Sequence, residues 1–425
     1  MQVQKDKSAA LIYLMLFSMV MINYLDRIAL SVAAKPIATE FHLNSIQLGY
    51  VFSSFLWSYI PFALLCGVLV DRFGAKKVCA TGMVLWSTAT IFTGLASGIG
   101  SLLASRLVMG AGEASSYPSG NKFIREHVPF SKYGFATSVM NSGAYAGPAV
   151  GAVLIAWLVT SVGWRFAFCI AGAIGFVWAT LWLLWFRRNS NVSATTVTST
   201  TPSRQRNGVG LKGLLRSGSM WGITLTHGCN TYTQYLFLTW LPSYLIAAKG
   251  LDIKHAAVFT ALPYACAVIL GSLIGKLSDR LLRGGDVGSG KRRRMVAGML
   301  LCAASILAIP FIDSVGTLVA VLSVTLTGIA AANSLNLALI NDLLVHNDDA
   351  GKAYSLAIVG SNMFGVLAPI ITGYVFAITG SYNYAFAGAG TLLLCGTVIS
   401  LTRTRERIGV ATSLASLDET SPITL

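Results

Sequence analysis

The sequence predicts an all-α polytopic membrane protein, on three grounds: its composition, the length of its apolar runs and the placement of its charges. Of 425 residues, 54% are hydrophobic and 11% are charged, with a mean hydropathy of +0.67. A soluble domain carries roughly 25% charged residues, so this chain lacks the polar surface to face water on all sides. Apolar runs of about 20 residues, the length that crosses a bilayer as helix, recur from end to end. Barrel strands alternate instead over about ten residues, which excludes a β-barrel.

Twelve spans are expected, at 10–34, 47–70, 78–97, 99–121, 134–158, 164–186, 219–246, 255–278, 295–312, 315–341, 353–379 and 382–402. The first follows Lys5 and Lys7 and carries Asn23 to Arg27. The second closes on Asp71-Arg72, and the third opens after Lys76-Lys77. Arg106 and Glu113 lie in the fourth. The fifth has Gly143, Gly147 and Gly151 at every fourth position, a stripe that lets helices approach closely, with Pro148 permitting a bend. The sixth starts at Trp164-Arg165. The seventh holds His227 and Gln234, and the eighth runs into Asp279-Arg280. Lys291 to Arg294 precede the ninth. Asn333 and Asn336 mark the tenth, Asn362 the eleventh, and Arg403 follows the twelfth.

The longest polar interruption, rich in Ser and Thr, divides these spans six and six. The expected organisation is 1–186 as one six-helix bundle, 187–218 as a flexible cytoplasmic linker, 219–405 as a second bundle and 406–425 as a cytoplasmic tail. Gly67 to Lys77 after the second span is echoed by Gly275 to Arg283 after the eighth. Trp164 to Phe168 is likewise echoed by Tyr382 to Phe386. Two echoes at similar offsets indicate pseudo-symmetric halves related by an axis along the membrane normal, with a site near the midplane between them.

The formal net charge of +15 does not mean a nucleic-acid partner. An even number of spans puts both termini on one side. If that side is cytoplasmic, it holds most of the 31 Lys and Arg, including Arg72, Lys76, Lys77, Lys122, Arg125 and Lys291 to Arg294. The other side holds Lys35, Arg165, Lys249 and Lys254. This is the positive-inside pattern, and it orients the chain. The first apolar run is too long for a cleavable signal peptide. The seven cysteines lack CxxC spacing and read as small packing residues.

Charge within the hydrocarbon is costly and marks function by default. Asp26 and Glu113 are the acids well inside spans, and Arg27 and Arg106 are the comparably deep bases. Arg106 and Glu113, seven apart, return to nearly one helix face, as do Asn23 and Arg27, four apart. Asp26 points about 100° away from Arg27. An arginine stays charged and matches a carboxylate bidentately, so Arg106 leads as anion ligand with Arg27 contributing. Asp26 and Glu113 are the expected proton carriers, since burial and a nearby arginine pull a carboxyl in opposite directions. Tyr24, Tyr59, Gln234, Asn333, Asn336 and Asn362 can complete the cavity, although each equally suits a bond between helices. Asp71 can cap or pair with a neighbouring helix end. The latch on the cytoplasmic opening is assigned to Asp71, Arg72, Asp279 and Arg280.

These motifs also carry a family likeness. The 67–77 stretch resembles the loop signature of the major facilitator superfamily. Arg106-xxx-Gly110-x-Gly112-x-Ala114 resembles its fourth-helix motif, and Gly143-xxx-Gly147-Pro148-xx-Gly151 its fifth-helix one. Asn23 to Arg27, Arg106 to Pro118 and Phe237 to Pro242 are similar to the anion:cation symporter branch, which includes hexuronate, glucarate and galactonate transporters. The resemblance implies the major facilitator fold and proton-coupled symport of an organic anion by alternating access. It places Asp26 and Glu113 at proton-coupling positions, and Arg27 and Arg106 at positions that bind anion or control those acids. Tyr59, Gln234 and Asn362 fall at substrate-contact positions. Ser119 to Phe123, and the setting of Asn333 and Asn336, depart from the sugar-acid pattern.

The chain is therefore expected to be a multi-pass inner-membrane symporter of a sugar acid, with both termini cytoplasmic. It is not expected to be an enzyme. A proton gradient rather than a cofactor drives it, its partners are a small organic anion, protons and lipid, and it acts as a monomer. Competing readings are uptake of an aromatic or dicarboxylic acid, an uncoupled organic-anion uniporter, a drug exporter and a transport-deficient sensor. The deep arginines fit cationic drugs poorly, and the short linker and tail fit a sensor poorly.

Overall fold

Why each segment is helical follows from the bilayer: without water, only a helix satisfies its own backbone groups. The computed structural model describes residues 2–129, 132–188, 209–282, 290–346 and 349–409. The first group of helices is α1 (Gln2–Val32), α2 (Ala34–Glu40), α3 (Ser45–Phe73), α4 (Ala75–Gly94), α5 (Ile99–Glu113), α6 (Ser116–His127), α7 (Tyr133–Val162) and α8 (Trp164–Arg188). After α9 (Gly210–Arg216) come α10 (Gly218–Lys249), α11 (Ile253–Leu282), α12 (Lys291–Ala303), α13 (Val315–Leu343), α14 (Ala350–Thr379) and α15 (Asn383–Arg403).

Nine of these helices are long and apolar enough to cross a membrane. The exceptions among the twelve expected spans have physical reasons. α4 starts with Lys76 and Lys77 in its first turn. The fourth span is broken between Glu113 and Ser116 into α5 and α6. α10 is rich in Thr and Tyr, and most of it is buried in protein rather than facing lipid. The ninth span starts earlier than expected, with Lys291 to Arg294 inside the first turn of α12, and ends as a 3₁₀ helix from Ala304 to Phe311.

Local signals fix the joints. Asn44 caps α3 through a reciprocal capping box with Gln47, both bonds 2.9 Å. Gly74 turns α3 into α4 at φ +83°, a conformation glycine adopts freely. The glycine stripe of α7 lies on α1: a Cβ at Gly143 would sit 2.6 Å from the Phe17 carbonyl, and one at Gly151 would sit 2.9 Å from Leu25. Part of the expected linker, 210–216, is helical, and residues 189–208 of it lie outside the described residues. The start of the tail also packs. Ile408 is buried, accepts from the Val345 N–H at 3.0 Å and donates to the Leu343 carbonyl at 2.8 Å. Residues 410–425 lie outside the description.

α1 packs on α7, α3 on α5 and α4 on α8, while α10 packs on α14 and α15, and α11 on α13. The two groups meet through α3 on α14, α7 on α11 and α1 on α10. Their mutual hydrogen bonds among the described residues run from midplane to one face only, the face opposite Arg72 and Lys77. Ser31 donates to the Thr239 carbonyl at 2.5 Å, Ser53 to the Val366 carbonyl at 2.8 Å, and the hydroxyls of Tyr50 and Tyr374 lie 3.2 Å apart. Asn333 reaches Tyr145 at the midplane, at 3.4 Å. The seam is intimate because two glycines face carbonyls across it. A Cβ at Gly49 would fall 2.7 Å from the Pro369 oxygen, and one at Gly373 would fall 2.5 Å from the Ser45 oxygen.

Gly49→Val with Gly373→Val should therefore part this seam while leaving each bundle intact. A cysteine placed at the buried Ser53 is expected to change from protected to reactive toward a water-soluble thiol reagent. Unchanged protection in a folded variant would show that the glycines do not hold the seam.

Candidate functional site

α1 and α5 are linked by the side chains of the deep charges found in the sequence. The turn of about 100° per residue sends Asp26 and Arg27 to different sides of α1. Arg27 faces the seam. Its Nε donates to Glu113 Oε2 at 2.9 Å, and its Nη1 donates to the Tyr235 hydroxyl of α10 at 3.0 Å. The guanidinium lies over the rings of Tyr24 (4.6 Å), Phe55 (4.8 Å) and Tyr59 (5.2 Å). Arg27 is 6% exposed and Glu113 is 0% exposed, so this is a desolvated ion pair. Neither ion is saturated, because Arg27 Nη2 and Glu113 Oε1 have no hydrogen-bond partner.

Asp26 points into the first bundle, toward Trp86 and Thr90 of α4 and toward Arg106. Both its carboxylate oxygens lack a hydrogen-bond partner. Arg106 is equally enclosed. Its Nη1 contacts the Asp26 carbonyl oxygen at 3.5 Å and the Met109 sulfur at 3.2 Å, and it lies 5.6 Å from the Phe168 ring centre. Its Nε and Nη2 are unpartnered, as are both side-chain polar atoms of Asn23, which faces Glu113. Buried polar groups normally find partners, so a run of unsatisfied ones needs explaining. Here they belong to one layer of charge on α1 and α5.

The spacing of Arg106 and Glu113 gives them a common face, yet Glu113 takes Arg27. Seven residues along a helix span about 10 Å, too far for a direct bond, whereas the long Arg27 side chain reaches across from α1. Arg27 is the arginine at the seam, and Arg106 is inside the bundle behind it.

In the second half, Asn333 is the hub. Its amide donates to Gln234 at 3.1 Å and to Tyr145 at 3.4 Å, and its oxygen accepts from Asn230 at 2.7 Å. Asn230 also donates to the Ile329 carbonyl at 3.0 Å. Asn362 donates to the Ile358 carbonyl at 3.0 Å and lies one turn from Gly365, which adjoins Tyr235. Asn336 does not join this group. It donates to the Ile223 carbonyl at 3.0 Å, about 18 Å along α10 from Tyr235 by helical rise. His227 is buried with an unpartnered Nδ1. Tyr235, Asn230 and Tyr145 were not among the expected site residues. The signal for the first two was the uninterrupted polar run Asn230 to Tyr235 in the middle of a span.

At the basic face, Asp71 pairs with Lys122 of α6 at 3.3 Å, and Lys122 also donates to the Val70 carbonyl at 2.9 Å. The Asp71 side chain is 82% exposed. Arg72 is exposed against Phe73, and Arg280 is exposed. The side chain of Asp279 lies outside the description.

Two helical halves closing on each other around buried, unsaturated charge define a multi-span membrane transporter. The chain belongs to the Major Facilitator Superfamily, whose family model matches residues 16–288 and 285–423. It is 31% identical to a probable sulfoacetate transporter of Cupriavidus necator, covering 94% of each chain. It is 29% identical to a probable galactarate/D-glucarate transporter of Bacillus subtilis, over 97% of this chain and 96% of that one. A hexuronate transporter of Bacillus subtilis is also 29% identical, over 95% and 96%. The fold is shared with a crystal structure of a bacterial homolog of the human lysosomal transporter Spinster in an inward-facing, unoccupied conformation. That match has a TM-score of 0.71 at 18% identity, covering 93% of this chain and 95% of the other.

Removing one member of a buried ion pair strands the other charge, at about 3–5 kcal/mol. Glu113→Ala should lower the thermal unfolding midpoint in detergent far more than Glu113→Gln, which keeps an acceptor for the Arg27 Nε. Equal losses would mean that the pair is not what holds α1 to α5.

Proposed function

We propose that the chain imports an organic anion together with protons, by alternating access, across the cell inner membrane. The observation that carries this reading is the Arg27–Glu113 pair at the seam, desolvated yet unsaturated on both sides. Arg27 can present two donors in a plane, the arrangement that fits a carboxylate, but Glu113 occupies Nε. Protonating Glu113 removes its charge and leaves a weaker, neutral acceptor that an anion can displace. Nε and Nη2 then become available to the substrate, so anion and proton are taken up together. On release, Glu113 loses its proton, recaptures Arg27 and displaces the anion.

Asp26 and Arg106 form the second couple behind α1. We assign Asp26 a coupling proton, and assign Arg106 to governing Asp26 rather than to direct contact with substrate. Tyr59, Gln234, Asn333 and Asn362 surround the layer and suit the hydroxyls of a sugar acid. Asn336, whose bond is to Ile223 about three turns along α10 from Tyr235, serves as a bracket between α13 and α10. The basic face is read as cytoplasmic, which makes the described state inward-facing. Asp71 and Arg72, with Asp279 and Arg280, are read as the latch that engages when that face closes. The relatives' names support an organic-anion substrate. The name of the sulfoacetate relative also supports a second reading, a compact sulfonate that uses Arg27 without the amides.

Proteoliposomes test the coupling. With Glu113→Gln, exchange of substrate across the membrane should persist while uphill uptake driven by a proton gradient fails. Uphill uptake at the wild-type rate would remove Glu113 from the mechanism. A thermal-shift screen of hexuronates, aldarates, aldonates, sulfoacetate and aromatic acids should give its largest shift with a sugar acid. A larger shift with sulfoacetate would favour the second reading.

A further inference from the structure

A cleft of about 760 Å³ opens where the halves meet at the closed face, above the Ser31–Thr239 seam. Both halves line it. Lys35, Thr39 and Glu40 come from α2, Thr160 from α7, Asp252 from just before α11 and Lys254 from its first turn. Its charges are not equivalent. Glu40 accepts from Arg165 at 2.7 Å and from the Trp164 indole at 2.6 Å, and the Arg165 bond holds its carboxyl below the ordinary range. Asp252 accepts from the His255 backbone N–H at 2.8 Å and lies 2.8 Å from its Nδ1, contacts that lower its carboxyl too. Of the basic residues on this face, Arg165 is bound to Glu40, and Lys249 donates to the Ile312 carbonyl at 2.6 Å. Lys35 and Lys254 remain. Both are exposed, and neither has an ion-pair partner among the described residues.

The cleft is also in line with the site below. Arg27, Ser31 and Lys35 follow one another at single turns, and the helical ladder continues through the α1–α2 joint by Ala33 N–H to Ala29 and Ile37 N–H to Ala33. Eight residues of rise put Lys35 about 12 Å outward from Arg27. On α10, Tyr235 and Thr239 climb the facing wall toward Ile246, which lines the cleft. Two uncommitted ammonium groups, one from each half, therefore stand over the closed seam that leads to Arg27.

We propose that this cleft is an outer loading site, where Lys35 and Lys254 hold the anionic group of a small organic carboxylate or sulfonate before the seam parts. The inference rests on the chain being an organic-anion carrier, and a direct footprint separates the two. Purified protein is acetylated with a water-soluble amine reagent in the presence of glucarate, glucuronate or sulfoacetate, against chloride at equal ionic strength. At least one of the three should slow modification of Lys35 and Lys254 while leaving the exposed Lys77 and Lys132 of the basic face unchanged. No protection by any of them, or equal protection at Lys77, overturns the proposal.

Transport supplies the second measurement, made with whichever of those anions is carried. Lys35→Gln with Lys254→Gln should raise the KM for uptake from the medium roughly three- to tenfold at low salt, the range of two exposed charge contacts. The maximal rate should hold, and Lys35→Arg with Lys254→Arg should restore the KM. An unchanged KM in the glutamine variant also overturns the loading site. Absence of uptake by the wild type would defeat the carrier reading, and the footprint would still decide the cleft.

Discussion

The molecule is organised around one constraint: a guanidinium buried at the centre of a membrane protein must always have a partner. Desolvating each ion of such a pair costs several kcal/mol, which good geometry recovers only in part. Arg27 spreads that burden over Glu113, the Tyr235 hydroxyl and three aromatic faces. Because Tyr235 belongs to the other half, the same charge that fixes α1 to α5 also reports whether the halves are together. Any anion that replaces Glu113 must do so without leaving Arg27 bare at any stage. Exchange of partners, rather than binding to a vacant charge, is what this geometry favours.

The closed face shows how the halves can separate without loss of structure. Its polar contacts are short hydroxyl bonds and glycine-to-backbone approaches, each small and each able to exchange with water, and beside them Phe52 packs on Trp240 and Phe55 on Tyr235. The apolar cores of the two bundles keep their own packing. The N-terminal bundle is held internally by glycines on α7 and by Arg165, which ties Glu40 to the carbonyls of Gly94 and Ala96. A seam whose polar bonds can pass to water, between halves that each have internal ties, is the mechanical basis of a rocking carrier.

Much of this was legible in the sequence, because bilayer physics leaves few alternatives. The all-helical, multi-span fold and the four deep charges follow from run length and the cost of charge in hydrocarbon. What spacing does not carry is the side on which a neighbouring helix lies. The shared face of Arg106 and Glu113 is real, but the partner of Glu113 comes from α1, and only packing decides that. The amide cluster was half visible. Gln234 and Asn333 stand out as polar residues in apolar runs, whereas Asn230 and Tyr235 merge into a polar stretch that reads as a poor span. The ionic environment of Lys35 and Lys254 was not legible, because it depends on Arg165 having taken Glu40 and on Asp252 bonding His255.

That poor span has a consequence for how the protein is made. α10 lies mostly within protein, and its threonines, tyrosines and Asn230 are tolerable there because α14, α15 and α13 cover them. Those three helices are synthesised later. As it leaves the ribosome, α10 therefore enters the lipid as a marginal segment, with its polar stripe uncovered until the chain is nearly complete. The helix that carries Tyr235 and Gln234 is thus the one whose insertion depends most on the C-terminal end of the sequence. Damage to α14 or α15 would be felt first as failed biogenesis, before any effect on the transport cycle.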